Sequence, residues 1–309
     1  MGVFQVLLQR LGEKLGHLER PRTSYLEQPL NKRFRGNPAE EDNPKLRFEA
    51  KYVELHPLGE GGCGSVFAGY RRSDHLDVAI KHVPNKYQYC KHVDEEGRQL
   101  SGEVAVMLKL RTPIALLDWY VLPHELILVL ERPMPAVDLQ TYVEECRHWF
   151  GEKEAKMILK QLVKAAISLQ DKKIFHRDIK VENILIDMSS GAPQVRLIDF
   201  GVSCFTETHS EYTTFYGTEI HAPPEWWYEH TYSARPTTVW QLGIVLFECL
   251  HNKNFSSTKL MEKNELFHSL VGFSPGAPAS HTKKVTPPEC FFTSTLPVPS
   301  PDKGGGLNL

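Results

Sequence analysis

The stretch His176-Arg177-Asp178-Ile179-Lys180-Val181-Glu182-Asn183 decides how this chain is read, together with Asp199-Phe200-Gly201, which begins sixteen residues after the asparagine. Asp178 offers a carboxylate, Lys180 a cation two residues on, and Asn183 a carboxamide. Asp199 offers a second carboxylate on a turn that ends in glycine. Phosphoryl transfer needs such a set: a group to orient and deprotonate the attacking hydroxyl, oxygen ligands for Mg²⁺, and positive charge against the phosphoryl in flight. Each residue alone reads as a surface polar group; the joint set, in this order, is hard to reach by chance. His176 reads as a packed structural histidine rather than an acid or base.

The spacing matches the protein-kinase signatures H-R-D-x-x-x-x-N and D-F-G, and the upstream sequence carries the parts those signatures need. Tyr52-Val53-Glu54-Leu55 alternates as a strand. Leu58-Gly59-Glu60-Gly61-Gly62-Cys63-Gly64-Ser65-Val66 follows, and then Phe67-Ala68-Gly69-Tyr70 and Val78-Ala79-Ile80-Lys81 read as further strands. A glycine-rich turn alone is a weak signal, and a dinucleotide fold would place a helix directly after it; here a β-type run follows. Gly59, Gly61 and Gly64 would let the backbone close over phosphates, and Lys81 would hold two of them. Lys81 then needs an acidic partner. Asp94-Glu95-Glu96-Gly97-Arg98 reads as a solvated polar loop, whereas Glu103 opens the periodic run Val104, Met107, Leu108 and Leu110 and suits a helix N-terminus. Glu103 is therefore the expected partner, with a dipole-favoured surface glutamate as the plainer alternative.

Composition narrows the class. A chain of 309 residues, 41% hydrophobic and 24% charged, fits a globular protein of about two domains. A net charge of −2 gives no support for nucleic-acid binding or for broad attraction to acidic membranes. Six cysteines without a CxxC pair argue against a zinc site or a disulfide framework and suit a reducing compartment. No apolar run approaches the roughly 20 residues of a membrane span, so stable membrane insertion is not expected. Arg10, Glu13 and Lys14 interrupt any secretory leader, and Val6 does not suit myristoylation at Gly2. A cytoplasmic location is expected, with the nucleus as an additional one.

Residues 1–20 carry Phe4, Leu7, Leu8, Leu11, Leu15 and Leu18 at helical spacing, weakened by Gly12 and Gly16. This helix is expected to dock on the domain, to fray, or to meet an unknown partner. Residues 21–47, with four prolines, a basic patch Lys32-Arg33-Phe34-Arg35 and the acidic Glu40-Glu41-Asp42, read as a linker. Order is expected to begin near Tyr52.

Beyond Lys81, residues 116–120 and 126–130 read as strands, and residues 139–146 and 152–169 as helices. Ala155, Ile158, Leu159, Leu162, Ala165, Ala166 and Leu169 form one apolar face of the second helix. Between them lies Glu131-Arg132-Pro133-Met134-Pro135. In a kinase this is the hinge that meets adenine, where the Glu131 carbonyl can accept a hydrogen bond but Pro133 cannot donate one. That proline-containing run, with Leu117-Asp118-Trp119, His176-Arg177-Asp178-Ile179-Lys180, Ile184-Leu185-Ile186-Asp187 and Pro223-Pro224-Glu225-Trp226, resembles the Pim family of serine/threonine kinases over roughly residues 50–255.

The resemblance implies an α+β, two-lobed kinase fold: a small antiparallel β N-lobe with one main helix, and a mostly helical C-lobe. It implies ATP with Mg²⁺ as cofactors and protein substrates with Ser or Thr near basic residues. Leu58, Gly59, Gly61, Gly64, Val66, Ala79, Lys81 and Glu131 would surround the nucleotide, with Glu103 supporting Lys81. Asp178 would take the substrate proton, Lys180 would face the phosphoryl, and Asn183 and Asp199 would hold the metal. Thr218 resembles the threonine that helps seat a Ser/Thr substrate, and Asp138 and Glu182 match acids that attract an upstream arginine. Val181 stands where the family has a further acid. Asp138 could instead simply cap the next helix. Arg177 leaves a guanidinium beside the catalytic aspartate, and the acids that the family pattern has around Thr214 and Tyr216 are missing. Phosphorylation at Thr213 or Thr214 would supply that charge; ordinary loop hydroxyls are the plainer reading.

The resemblance breaks near the end. Residues 238–250 read as an apolar helix in which Thr238 stands where most kinases have Asp. After about Asn254 the prolines and Gly304-Gly305-Gly306 rule out long helices, and no arginine follows Arg235, so Glu225 lacks the partner that a kinase gives it. The expected organisation is an N-terminal segment and linker over 1–49, the N-lobe over 50–132, a partial C-lobe over 133–255 and a disordered tail over 256–309. The reading is a Pim-like serine/threonine kinase. Its alternative is a kinase-like pseudoenzyme or nucleotide-binding scaffold, and a small-molecule phosphotransferase fits less well.

Overall fold

The computed structural model describes residues 43–88, 91–94, 97–110, 114–146, 150–207, 209–251 and 253–262. The helix expected over 1–20, the linker up to residue 42, the rejected Glu95 and Glu96, and the tail beyond 262 lie outside the described residues.

The smaller lobe is a five-stranded antiparallel sheet in the order β1-β2-β3-β7-β6, with β1 at Tyr52–Gly61, β2 at Gly64–Arg71, β3 at Asp77–Pro84, β6 at Leu116–Val121 and β7 at Glu125–Glu131. Gly64 closes the β1–β2 hairpin at φ 136°, and a side chain there would run into the His82 carbonyl, so only glycine serves. A short hairpin of β4 (Lys91–Val93) and β5 (Gln99–Ser101) leads into helix α2, Gly102–Leu110. Val104 of α2 packs with Val83, Leu126 and Leu128 of the sheet, while Val106, Met107 and Leu110 join the core of the larger lobe. Helix α2 thus sits between two hydrophobic cores, with Glu103 at its start.

One boundary differs from the sequence reading. Residues 44–51, taken as linker up to 47 and as disordered up to 49, form helix α1 (Pro44–Lys51). Asn43 caps it by accepting the Lys45 and Leu46 amides at 3.0 and 3.4 Å, and Pro44 takes the first turn, where its missing N–H costs nothing. Pro44, counted among the prolines of the linker, instead opens a helix. Phe48 is buried against the rings of Tyr52 and Tyr120, and Asp118 accepts from Tyr52 Oη at 2.7 Å and Lys51 Nζ at 3.3 Å.

The larger lobe begins with β8 (Ala136–Asp138), which pairs with β10 (Ile184–Asp187) and through it with β11 (Gln194–Leu197). Helices α3 (Leu139–Glu145) and α4 (Glu152–Asp171) follow β8. Ala155, Ile158, Leu162, Val163, Ala166 and Leu169 bury one stripe of α4, against a core shared with Leu242, Val245 and Cys249 of α6 (Ala234–His251). Short strands β9 (Ile174–Phe175) with β12 (Cys204–Phe205), and β13 (Glu211–Tyr212) with β14 (Tyr232–Ser233), tie the loops on either side of the cleft. Helix α5 spans Pro224–Glu229.

A second boundary also moves. The tail expected from residue 256 starts with helix α7, Ser257–Glu262, and the buried Ser257 hydroxyl donates to the Ile220 carbonyl at 2.9 Å. The prolines that exclude long helices begin only at Pro275, so six residues before them are free to fold. Among the described residues no helix is long and apolar enough to cross a membrane.

Candidate active site

The sheet and α2 bring the first three charged groups together. Lys81 lies mid-strand in β3, paired with Val66 on one side and Leu128 on the other. Its Nζ is 2.6 Å from Glu103 Oε1 at the start of α2 and 2.8 Å from Asp199 Oδ1. Lys81 and Glu103 are both buried. Burial pulls the Lys81 pKa down, but the carboxylates of Glu103 and Asp199 outweigh it, and the net shift is upward. Burial raises Glu103 against the pull of Lys81. Asp199 is also pushed up by burial, yet Lys81 and the Gly201 N–H at 3.1 Å hold it below the usual carboxylate value. Glu103, preferred on sequence grounds to the acids of the preceding loop, occupies the partner position to Lys81.

The residues of the His176–Asn183 stretch converge close to this cluster. Asp178 Oδ1 accepts the Thr218 backbone N–H at 2.9 Å, and Asp178 Oδ2 accepts Asn183 Nδ2 at 3.1 Å. Asn183 Nδ2 also donates to the Asp178 carbonyl at 2.9 Å, which leaves the carboxamide oxygen as the end suited to a metal. Lys180 Nζ lies 3.5 Å from Asp178 Oδ2 and donates to Thr218 Oγ1 at 2.9 Å. Thr218 therefore touches both residues that would handle the hydroxyl and the phosphoryl. Gly217, at φ 133°, lets its loop approach the Arg177 carbonyl, where a side chain would collide.

His176 is buried, with Nδ1 accepting the Asp178 N–H at 3.3 Å and Nε2 facing the Ile198 carbonyl at 3.1 Å. Burial lowers its pKa, so the ring is neutral with its proton on Nε2, a structural clip as the sequence suggested. Arg177 adopts φ 71°. Its guanidinium lies 4.5 Å from the Tyr212 ring centroid, 5.1 Å from Tyr216 and 5.8 Å from Phe175, and Nη1 donates to the Val202 carbonyl at 3.3 Å. Thr213 and Thr214 are exposed beside this cage.

Asp138, expected to meet a substrate arginine, is the N-cap of α3: its carboxylate accepts the Thr141 N–H at 2.9 Å and the Thr141 hydroxyl at 2.7 Å. Glu182 is exposed on the turn between Lys180 and Asn183. Glu131 closes β7, and its side chain accepts from the Ala115 N–H at 3.3 Å. Leu58, Val66 and Ala79 lie on β1, β2 and β3 around Lys81. Sequence reading passed over Gln241. It is buried in α6 with its carboxamide on the backbone at both sides of Asp178; one polar residue inside an apolar helical run was the available signal.

The donor set suits Mg²⁺ with a nucleotide. No group of three or more His, Cys, Asp or Glu among the described residues could cage a metal alone, but Mg²⁺ commonly takes one or two protein oxygens and completes its shell with phosphates and water. Asn183 and Asp199 could supply those oxygens. Open space faces Gly59, as needed for a loop that covers phosphates.

Comparison with known proteins agrees with this geometry. A protein kinase domain model matches residues 52–286, well past the point where the motif resemblance stopped. Serine/threonine-protein kinase pim-2 of Danio rerio is 38% identical over 218 residues, covering 67% of this chain and 69% of that protein. Serine/threonine-protein kinase prk-2 of Caenorhabditis elegans is 31% identical, over 67% of this chain and 46% of its own length. Serine/threonine-protein kinase chk-2 of the same organism is 32% identical, over 68% and 45%. The chain thus spans about two thirds of the first relative and under half of the other two.

Proposed function

Because the chain belongs to the protein kinase family and its relatives are serine/threonine kinases, we propose that it transfers the γ-phosphoryl of MgATP to Ser or Thr hydroxyls of protein substrates near basic residues, as a Pim-like enzyme. The observation that carries this reading is the single cluster in which Asp178, Lys180, Asn183 and Thr218 meet close to the Lys81–Glu103–Asp199 group.

Each residue then has a chemical role. Asp178, its carboxylate fixed by the Thr218 N–H and Asn183, orients the substrate hydroxyl and receives its proton as the oxygen bonds to the γ-phosphorus and the bond to ADP breaks. Lys180 sets its charge against the phosphoryl oxygens, and Lys81, steadied by Glu103, holds the α- and β-phosphates. Asn183 and Asp199 would hold Mg²⁺, which draws negative charge from the phosphate oxygens. Leu58, Val66 and Ala79 cover the adenine, and the Glu131 carbonyl accepts from it. Glu182 attracts a basic residue upstream of the phosphoacceptor; Asp138 contributes less, because Thr141 already occupies its carboxylate. Thr213 and Thr214 are the candidate phosphoacceptors of the loop that carries Tyr216.

A second reading, a nucleotide-binding scaffold with little or no transfer, is favoured by one observation. Glu225 Oε1 and Trp227 Nε1 on α5, and Glu248 Oε2 on α6, are buried without a hydrogen-bond partner among the described residues. Transfer from MgATP to an arginine-rich Ser/Thr peptide separates the readings. Transfer by wild type and none by Lys81→Met or Asp199→Asn is the expected result. A folded wild type no better than those variants would leave the scaffold reading in its place.

A further inference from the structure

Gln241 is 1% exposed in the middle of α6, between Trp240 and Leu242, which are also buried. A carboxamide taken out of water into such surroundings is unfavourable unless both ends are bonded. Here both are, and the two bonds reach the same short stretch. Gln241 Oε1 accepts the Ile179 N–H at 3.2 Å, and Gln241 Nε2 donates to the Arg177 carbonyl. These are the peptide groups on either side of Asp178.

That stretch needs holding. Arg177 is at φ 71°, a left-handed conformation that costs a non-glycine residue about 1–2 kcal/mol, and the Asp178 side chain is aimed by it. His176 Nδ1 takes the Asp178 N–H, so with Gln241 the backbone is fixed at three successive points. Thr238, one turn earlier on the same helix, plays no part in this clamp, since its hydroxyl donates to the Ala234 carbonyl of its own helix at 2.7 Å.

We propose that Gln241 is a positioning residue for phosphoryl transfer, clamping the Arg177 carbonyl and the Ile179 N–H so that Asp178 meets the substrate hydroxyl. This rests on the kinase reading above. Gln241 does not touch Lys81, Glu103 or Asp199, so its loss acts on the chemical step and not on nucleotide binding.

The test uses the full chain, with wild type, Gln241→Met, Gln241→Glu and a Lys81→Met control. Gln241→Met keeps the volume and removes both bonds. It is expected to lower kcat by roughly 10- to 100-fold, the scale of a misplaced catalytic group, with KM for ATP within about twofold and faster hydrogen exchange at the Ile179 amide. Gln241→Glu can accept from Ile179 but donates to Arg177 only when protonated. Its activity relative to wild type should therefore rise as pH falls, a profile that a purely space-filling role would not produce. An unchanged kcat in Gln241→Met overturns the proposal, as does a parallel loss of kcat and ATP affinity. If the Met variant does not fold, a flat Gln241→Glu ratio between pH 8 and pH 6 overturns it. Wild type no better than Lys81→Met removes the kinase reading and this proposal together, whereas active wild type with unaffected Gln241 variants removes only this proposal.

Discussion

Glu103 and Glu225 are glutamates of one chain, and burial pushes both upward in pKa. Glu103 lies 2.6 Å from the Lys81 ammonium. Glu225, near the start of α5, has an Oε1 with no partner among the described residues. The contrast extends to their surroundings. Around Lys81 and Asp178 the carboxylates and ammonium groups are bonded to one another or to backbone, whereas Trp227 Nε1, two residues on from Glu225, shares its lack of a partner among the described residues. The region that would do the chemistry is internally complete. The region that would support the substrate depends on contacts that the described residues do not provide. Chemical competence and platform stability are thus separable in this molecule, and substitutions on the two sides should act with opposite sign.

The largest effect belongs to Lys81. Lys81→Met is expected to reduce transfer by on the order of 10³ or more and also to destabilise the fold by about 3–5 kcal/mol, because two carboxylates lose a buried partner. Pairing it with Glu103→Leu should recover much of the stability and none of the activity. Urea unfolding of the single and double variants beside the peptide assay checks this. If Lys81→Met unfolds like wild type, the Glu103 pair is not under the stress assigned to it.

Glu225 should behave in the reverse way. Glu225→Gln removes a charge that burial penalises, so stability at pH 7–8 is expected to rise by about 1–3 kcal/mol, the scale of an unsatisfied buried group. The pH dependence has a definite sign. A carboxyl raised above its ordinary 4.5 binds its proton more readily when folded, so the penalty is complete above the folded pKa and relieved as pH falls through it toward 4.5. The advantage of Gln over Glu should accordingly shrink on acidification. Melting curves of both proteins across that range would show it. A less stable Gln variant at pH 8 would mean that Glu225 does have a cationic partner, and the comparison would lose one side.

How far these regions were legible in the sequence follows the same division. The cluster around Asp178 was readable because its chemistry demands fixed residue types at fixed spacing, and Glu103 was separable from the acids before it because only Glu103 opens an apolar-periodic run. Boundaries were less legible. Asn43-Pro44 carries no sign of whether it ends a linker or begins a helix, since the same cap and proline serve both; burial of Phe48 decides it. Helix α7 was missed because the prolines beyond it dominated the reading of the whole tail. Gln241 and the aromatic cage of Arg177 were hidden for a different reason: both depend on residues distant in sequence that only the fold brings together.

The two acids offered for substrate arginine make a smaller, sharper test. Asp138→Ala should cost about 1 kcal/mol as a lost helix cap while altering the preference for arginine-containing peptides little. Glu182, exposed and uncommitted to a cap, should act the other way round. Glu182→Gln is expected to leave the melting temperature unchanged and to raise KM for such a peptide by about fivefold, near the upper limit of an exposed ion pair. Peptide kinetics and melting of both variants distinguish cap from subsite; equal KM effects would return Asp138 to the substrate side.

The smallest effect is expected at Thr213 and Thr214. Arg177 already lies over Tyr212 and Tyr216, contacts worth about 0.5–2 kcal/mol. The loop is further pinned by the β13–β14 pairing and by Tyr232 Oη, which donates to the Thr214 carbonyl at 3.0 Å and accepts the Tyr216 N–H at 3.2 Å. These bonds use the backbone of Thr214 and Tyr216 and survive replacement of the Thr213 and Thr214 side chains. The double variant Thr213→Ala, Thr214→Ala should therefore retain activity within about twofold, whereas Tyr232→Phe, which removes both backbone bonds at roughly 1 kcal/mol each, should lose more. If instead the double alanine variant falls further than Tyr232→Phe, and phosphatase treatment lowers wild type to the same level, then phosphate rather than aromatic packing holds the loop. The chemically complete half of the molecule would then also depend on something added after folding.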